Sequence, residues 1–260
     1  MYSFSSRVRY TEIDQNRNLD LHSILNYFQD CSNFHSVDVG VGIDTLTARH
    51  RVWLLSAWQV ELFHTPRLFD QITVATWPYD FKGLYGYRNF VLYNESHGHE
   101  VAACANSIWF LVDTETMRPT KITSEDSSAY PLEEPYPMTY EPRRITLPEG
   151  ICFPQACPTV AAADIATDAN SVATAPAPIA VTEFLLDTNL HVNNAQYVRI
   201  AKACLPADFQ IRTMRAEYRK SAVLGDIITP VCIAVPEKNQ YFVSLNDPNG
   251  QPFAIVEFRG

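Results

Sequence analysis

The sequence predicts an α+β protein made of two tandem modules, each a long helix wrapped by a curved antiparallel sheet. Three observations carry this: segments repeat in order along the chain, β-branched and aromatic runs alternate with hairpin turns, and each copy sets a helical apolar stripe behind a polar turn. "EYRKSAVLGDIIT" (217–229) aligns with "ELFHTPRLFDQIT" (61–73), both reading Glu, eight residues, Asp, one residue, Ile-Thr. "FVSLNDPNG" (242–250) aligns with "FVLYNESHG" (90–98), and "DTNLHV" (187–192) with "DQNRNL" (14–19).

Each copy opens on a strand-like run, "FSSRVRYTEI" in the first and "IAVTEFLL" in the second. Behind the first polar turn, Leu21, Ile24, Leu25, Phe28 and Cys31 recur at helical spacing, with Asp20 placed to cap them and Gly40 beyond their end. In the second copy Tyr197, Ile200, Ala201 and Cys204 repeat the pattern, with Asn193 or Asn194 as cap and Pro206 as stop. These stripes read as core faces. Strands follow: "RVWLLSAWQVELF", "DQITVATWPY", "YRNFVLYN" and "EVAACANSIWFLV" in the first copy, "QIRTMRAEYRK", "DIITPVCIAV", "QYFVSLN" and "PFAIVEF" in the second. "NESHGH" and "NDPNGQ" supply hairpin turns. The expected domains are 1–140 and 179–260. Residues 141–178, rich in Pro, Ala and Thr, are expected to form an extended surface linker.

Composition narrows the function classes. A chain of 260 residues with 47% hydrophobic content can bury a substantial core. No apolar stretch approaches the ~20 residues of a membrane span, and no signal-peptide pattern opens the chain, so it reads as soluble and cytoplasmic. A net charge of -9 argues against nucleic acid as partner. The six cysteines are scattered and read as reduced thiols. Cys152 and Cys157 form a lone C-x4-C, short of the ligands a structural zinc needs, so neither metal nor cofactor is expected.

"DTNLHVNNAQY" (187–197) concentrates the polar chemistry, with Asp187, Asn189 and His191 at i, i+2 and i+4. In an extended chain all three face one way; in a helix Asp187 and His191 still share a face. Near a helix N-terminus the dipole favours a neutral imidazole, and free N–H groups can donate to an oxyanion. These ingredients suit hydrolysis of an activated acyl group such as a thioester. A helix cap accounts for the cluster about as well, and both readings stand at this point. The first copy separates the roles, because it keeps Asp14 and Asn16 but has Asn18 where the second has His191.

The D-x-N-x-H-V-N-N-x2-Y motif on the second of two repeats resembles the acyl-acyl carrier protein (acyl-ACP) thioesterases of plants and bacteria. The likeness extends to "YTEIDQNRNLDLHSILNYFQD", to Gly40–Leu46, to the W-x-L at 53–55 and to the L-G-D at 224–226. It implies a tandem hotdog fold whose first half shapes the acyl-chain site, and it carries catalytic roles onto Asp187, Asn189 and His191. The family's Glu on the following strand is replaced here by Ser221, and the Cys that plant members place after it by Ala222. Ser221 cannot serve as a carboxylate base. Glu217, four residues earlier, recurs as Glu61 in the copy lacking the histidine and reads as structural.

The implied reaction is release of fatty acid from acyl carrier protein, with acyl-CoA hydrolysis or non-hydrolytic acyl-thioester binding as alternatives. Arg199, Lys202, Arg212, Arg215, Arg219 and Lys220 form a basic stretch, a candidate surface for the acidic carrier. Two modules in one chain can satisfy their mutual interface internally, which leaves monomer and homodimer both open.

Overall fold

In the computed structural model of the chain, residues 1–148, 153, 172–174 and 176–260 are described, and they fall into two compact units, Met1–Glu141 and Pro142–Gly260. The first unit opens with β1 (Tyr2–Arg7), whose alternating burial marks a strand wetted on one side. A turn then leads into α1 (Leu21–Asp38). Asp20 caps α1 as expected, its carboxylate accepting the His22 N–H at 3.0 Å. Leu21, Ile24, Leu25, Phe28 and Cys31 are all buried, and Gly40, with φ of 80°, turns the chain away beyond the helix end.

After α2 (Ile43–Ala48) come β2 (Arg51–Leu62), β3 (Gln71–Lys82), β4 (Tyr85–Asn94), β5 (Glu100–Asp113) and β6 (Arg118–Pro119), followed by the single turn of α3 (Ser124–Ser127). The sheet runs β1-β3-β4-β5-β2, antiparallel throughout, with β6 on β5. α1 packs on β3 and β1. Its Phe28 meets Phe90 and Trp58 at ring-centroid distances of 5.2 and 6.1 Å, and Trp58 meets Trp109 at 6.5 Å. Full burial of a side chain such as Phe28 contributes about 2–3 kcal/mol, so this aromatic cluster is a large part of what holds the helix on the sheet.

The second unit repeats the plan with changes. β7 (Val172–Thr174) and β8 (Ile179–Ala180) precede α4 (Asn194–Lys202), then β9 (Thr213–Tyr218), β10 (Ile227–Val235), β11 (Gln240–Asn246) and β12 (Pro252–Arg259). The strands run β9-β12-β11-β10-β7, with β8 also on β10. α4 has nine residues against the eighteen of α1, so the expectation of a long helix in both copies fails here. The cause is local. The backbone N–H groups of Cys204 and Leu205 bond three residues back, to Ala201 and Lys202, tightening the last turn, and Pro206 stops any continuation.

"VTEFLL" also departs from expectation: after two strand residues it forms a short 3-10 turn, Glu183–Leu185, matching Tyr10–Glu12 in the first unit.

The expected surface linker needs a larger correction. Within 141–178 Ile145 is buried with Ile233, Val235, Phe242 and Ile255, Leu147 and Phe153 pack against that cluster, and Val172–Thr174 is a sheet strand. The described residues of this segment include apolar side chains packed on the second unit's core and three residues paired to its sheet. Most of its low-complexity stretch, and Cys152 and Cys157, lie outside the described residues. Among the described residues no helix is long and apolar enough to cross a membrane.

Candidate active site

The segment 187–193 is a tight turn closed by Asp187 and His191. The Asp187 N–H donates to the His191 carbonyl at 2.7 Å, and the Leu190 N–H donates to the Asp187 carbonyl at 3.0 Å. Leu190 takes the left-handed conformation, φ 59°, that lets the chain return. The Asp187 carboxylate closes the turn from within: its Oδ1 accepts the N–H of Asn189 at 2.8 Å and of His191 at 3.3 Å. Neither the extended nor the helical alternative holds. Asp187 and His191 stand opposite each other across the turn, with Asn189 exposed at the tip.

α4 starts directly behind the turn. Asn193 is its cap, accepting the Ala195 N–H at 2.9 Å through its side chain and the Gln196 N–H at 2.9 Å through its carbonyl. Across from the turn lies 221–223. Val223 forms an antiparallel bridge with His191, and the Val192 N–H donates to the Ala222 carbonyl at 2.9 Å. The Ala222 N–H donates to the phenol oxygen of Tyr197 at 2.8 Å. Burial pushes the Tyr197 hydroxyl up to about 12, so it stays protonated at neutral pH.

The first unit reproduces this scaffold. Asp14 N–H donates to Asn18 O at 2.8 Å, Asp14 Oδ1 accepts from Asn16 and Asn18 N–H at 2.8 and 2.9 Å, and Arg17 is left-handed at φ 65°. Leu19 N–H meets Pro66 O at 2.8 Å, and Asn18 bridges Arg67. Even the burial sequence is the same over 14–20 and 187–193. The side chains set on the shared frame differ. The second unit carries His191 with exposed Leu190 and Val223 beside it; the first carries Asn18 with exposed Arg17 and Arg67.

Ser221 is not on a strand. β9 ends at Tyr218, and Ser221 lies exposed in the following connection, as Thr65 does after β2. It lies two residues before Val223, the bridge partner of His191. Glu217 is buried and engaged, accepting the Ile145 N–H at 2.9 Å and pairing with Arg219 at 2.9 Å, as a structural residue would.

The basic stretch breaks up. Arg215 is buried, donating to Glu257 at 2.7 Å and to the carbonyls of Pro142 and Arg144 at 2.6 and 3.2 Å, so it leaves the candidate surface. Inward strand positions of this unit accept a cation because the cross-strand partner is a carboxylate. Arg219 pairs with Glu217, and Lys220 with Asp247 at 3.0 Å. Arg199 and Arg212 are exposed and Lys202 is half-buried.

Two family models match the chain, the acyl-ACP thioesterase N-terminal domain over residues 1–130 and the C-terminal domain over 172–254. Among curated relatives, the chloroplastic oleoyl-acyl carrier protein thioesterase of Coriandrum sativum is 21% identical over 97% of this chain and 68% of its own length. Oleoyl-acyl carrier protein thioesterase 2 of Arabidopsis thaliana is 23% identical over 94% of this chain and 65% of its own. The chain thus spans about two thirds of the length of these plant relatives. In fold it is similar to an acyl-ACP thioesterase from Bacteroides thetaiotaomicron, with a TM-score of 0.81, 21% identity, and coverage of 99% of this chain and 96% of that one. It is likewise similar to the 12:0-ACP thioesterase from Umbellularia californica, with a TM-score of 0.74, 17% identity, and coverage of 99% and 96%.

Proposed function

The chain belongs to the acyl-ACP thioesterase family, and from that premise we propose that it hydrolyses fatty acyl-acyl carrier protein, releasing free fatty acid in fatty acid biosynthesis, at the turn Asp187–His191. The observation that carries the assignment to this turn is the contrast on a shared frame: the frame recurs in the first unit, the imidazole does not. The His191 ring, in its neutral form, takes a proton from water as the water oxygen attacks the thioester carbonyl. Asp187, opposite it, opposes the charge that forms on the ring. The Asn189 amide at the turn tip donates to the oxyanion. Collapse of the tetrahedral intermediate breaks the C–S bond and releases a thiolate, which leaves more readily than an alkoxide because a free thiol ionises near pH ~8.5. The proton held by His191 returns to the thiolate.

The exposed apolar Leu190, Val223 and Leu224 suit the acyl arm entering this site. The first unit, with its aromatic interior around Trp58 and Phe90, is the candidate acyl-chain module, and the second the catalytic one. Arg199, Lys202 and Arg212 are the part of the basic stretch retained as a candidate contact for the acidic carrier. The cytoplasm is the proposed compartment, whereas the plant relatives above carry the description chloroplastic.

The test is turnover of a chain-length series of acyl-ACP and acyl-CoA by wild type, Asp187→Ala and His191→Ala. Equal rates in the three proteins would remove the site. Cleavage of CoA thioesters at the rate of carrier-bound ones would favour the broader acyl-CoA reading. The exposed Ser221 hydroxyl, where the family resemblance implies a carboxylate, favours a non-hydrolytic binder as the second reading, and wild type inert on every thioester would move the assignment there.

A further inference from the structure

We propose that Tyr197 is a positioning residue of the His191 site, acting through the Ala222 peptide; this rests on the hydrolase reading above. Three fastenings hold the segment opposite His191. The Ala222 carbonyl accepts the Val192 N–H at 2.9 Å, the Val223 N–H donates to Asp226 Oδ2 at 2.9 Å, and the Ala222 N–H donates to the Tyr197 phenol oxygen at 2.8 Å. The first two recur in the first unit, where Leu19 N–H meets Pro66 O at 2.8 Å and Arg67 N–H meets Asp70 Oδ2 at 2.8 Å.

The third is missing from both sides at once. In the repeat alignment Ala222 falls on Pro66, which has no N–H, and Tyr197 falls on Ile24, which has no hydroxyl. Donor and acceptor therefore occur together in the unit that carries the imidazole and are both absent from the unit that carries Asn18. Ala222 is fully buried, so without the phenol its N–H would be an orphan donor.

A second tyrosine reinforces the arrangement. The Tyr197 ring meets the Tyr218 ring edge-on at 5.9 Å, and the Tyr218 hydroxyl donates to the Asn194 carbonyl at 2.9 Å, at the first residue of α4. The position of Tyr218 in the first unit is Leu62. The two phenols thus tie the end of β9 and the start of α4 to the segment facing His191. The segment paired with His191 thus has, in this unit alone, a third fastening made by one hydroxyl, and Tyr197 shapes the site without touching substrate.

The plain alternative is that Tyr197 only satisfies a buried N–H. Two variants separate the readings: Tyr197→Phe, which orphans the donor, and Tyr197→Phe with Ala222→Pro, which also removes the donor, as Pro66 does in the first unit. The expected result is that the double variant regains the melting temperature lost by Tyr197→Phe, while both variants show kcat reduced roughly 10- to 100-fold with KM nearly unchanged. In 15N-histidine-labelled protein, with His191 assigned through His191→Gln, the His191 ring signals and their titration midpoint move in both variants. Wild-type kcat in the double variant, or unmoved His191 signals, overturns the positioning role. If wild type hydrolyses no thioester, the hydrolase reading fails, and the His191 signals alone decide the positioning role.

Discussion

The turns at Asp14–Asn18 and Asp187–His191 share their backbone bonds, their left-handed fourth residue and their carboxylate clasp, and differ in what they display. An aspartate that accepts two backbone N–H groups is needed by the turn itself, whatever chemistry happens nearby. Asp187 therefore does not set the two turns apart, and His191 does. The units also part company in how they bury polar groups. At equivalent cross-strand positions the first unit pairs Gln59 with Asn106, and the second pairs Arg215 with Glu257. In both, the β2 or β9 residue also clasps the segment that ends the first unit or opens the second. Gln59 bonds Thr139 and Glu141, and Arg215 bonds Pro142 and Arg144. The same task is done by neutral amides in one unit and by an ion pair in the other.

Exchanging the differing residues tests the comparison most severely. His191→Asn, which gives the second turn the display of the first, is expected to lower kcat by about 10²- to 10⁴-fold while the melting temperature stays near wild type. Asn18→His should add no activity. A His191→Asn protein with wild-type turnover would break the contrast between the turns.

The buried pairs come next in size. Arg215→Gln removes one of the two cations on buried Glu257, leaving Arg259 and Gln240 as its partners, and is expected to cost about 2–3 kcal/mol in urea unfolding. Gln59→Ala should cost only about 1–2 kcal/mol, because neutral partners are left behind. Equal losses would mean that the ion pair and the amides are interchangeable.

A further effect is an acid one, in the first unit. His35 lies under Tyr2 and Tyr130 with its Nδ1 3.0 Å from Arg88, and Asp38 is the nearby opposing charge. Burial, then the Arg88 charge, pushes its pKa down to about 4 from the ordinary 6.5. A base whose folded pKa is depressed stabilises the fold fully above its unfolded value and loses that contribution as pH falls toward the folded one. The melting temperature of wild type should therefore fall more steeply between about pH 6.5 and 4 than that of His35→Gln. Parallel curves would remove this contribution.

Where the chain's logic is local, the sequence is readable. The strands, the caps Asp20 and Asn193, and the hairpin turns at Asn94 and Asp247 follow from side chains that bond their own backbone neighbours. Duplication adds a control that single motifs lack, and it singles out His191 before any coordinates. What stays hidden depends on distant partners. Arg215 reads as surface charge until Glu257, 42 residues on, is seen beside it. Ile145 reads as linker until Ile233 and Phe242 close over it. The Tyr197 bond was encoded as two coupled differences between the copies, but its meaning needed the contact across 25 residues.

The three residues of β7 have a consequence beyond the site. They pair with Cys232, Ile233 and Ala234 of β10, in the apolar run Val231–Val235, while β8 covers Ile227 and Ile228. Uncovered, that run would offer an open, β-prone edge on which another chain could add a strand. These few strand residues therefore shield the edge of the second unit's sheet from self-templating, and their loss is expected to surface as turbidity in the tube.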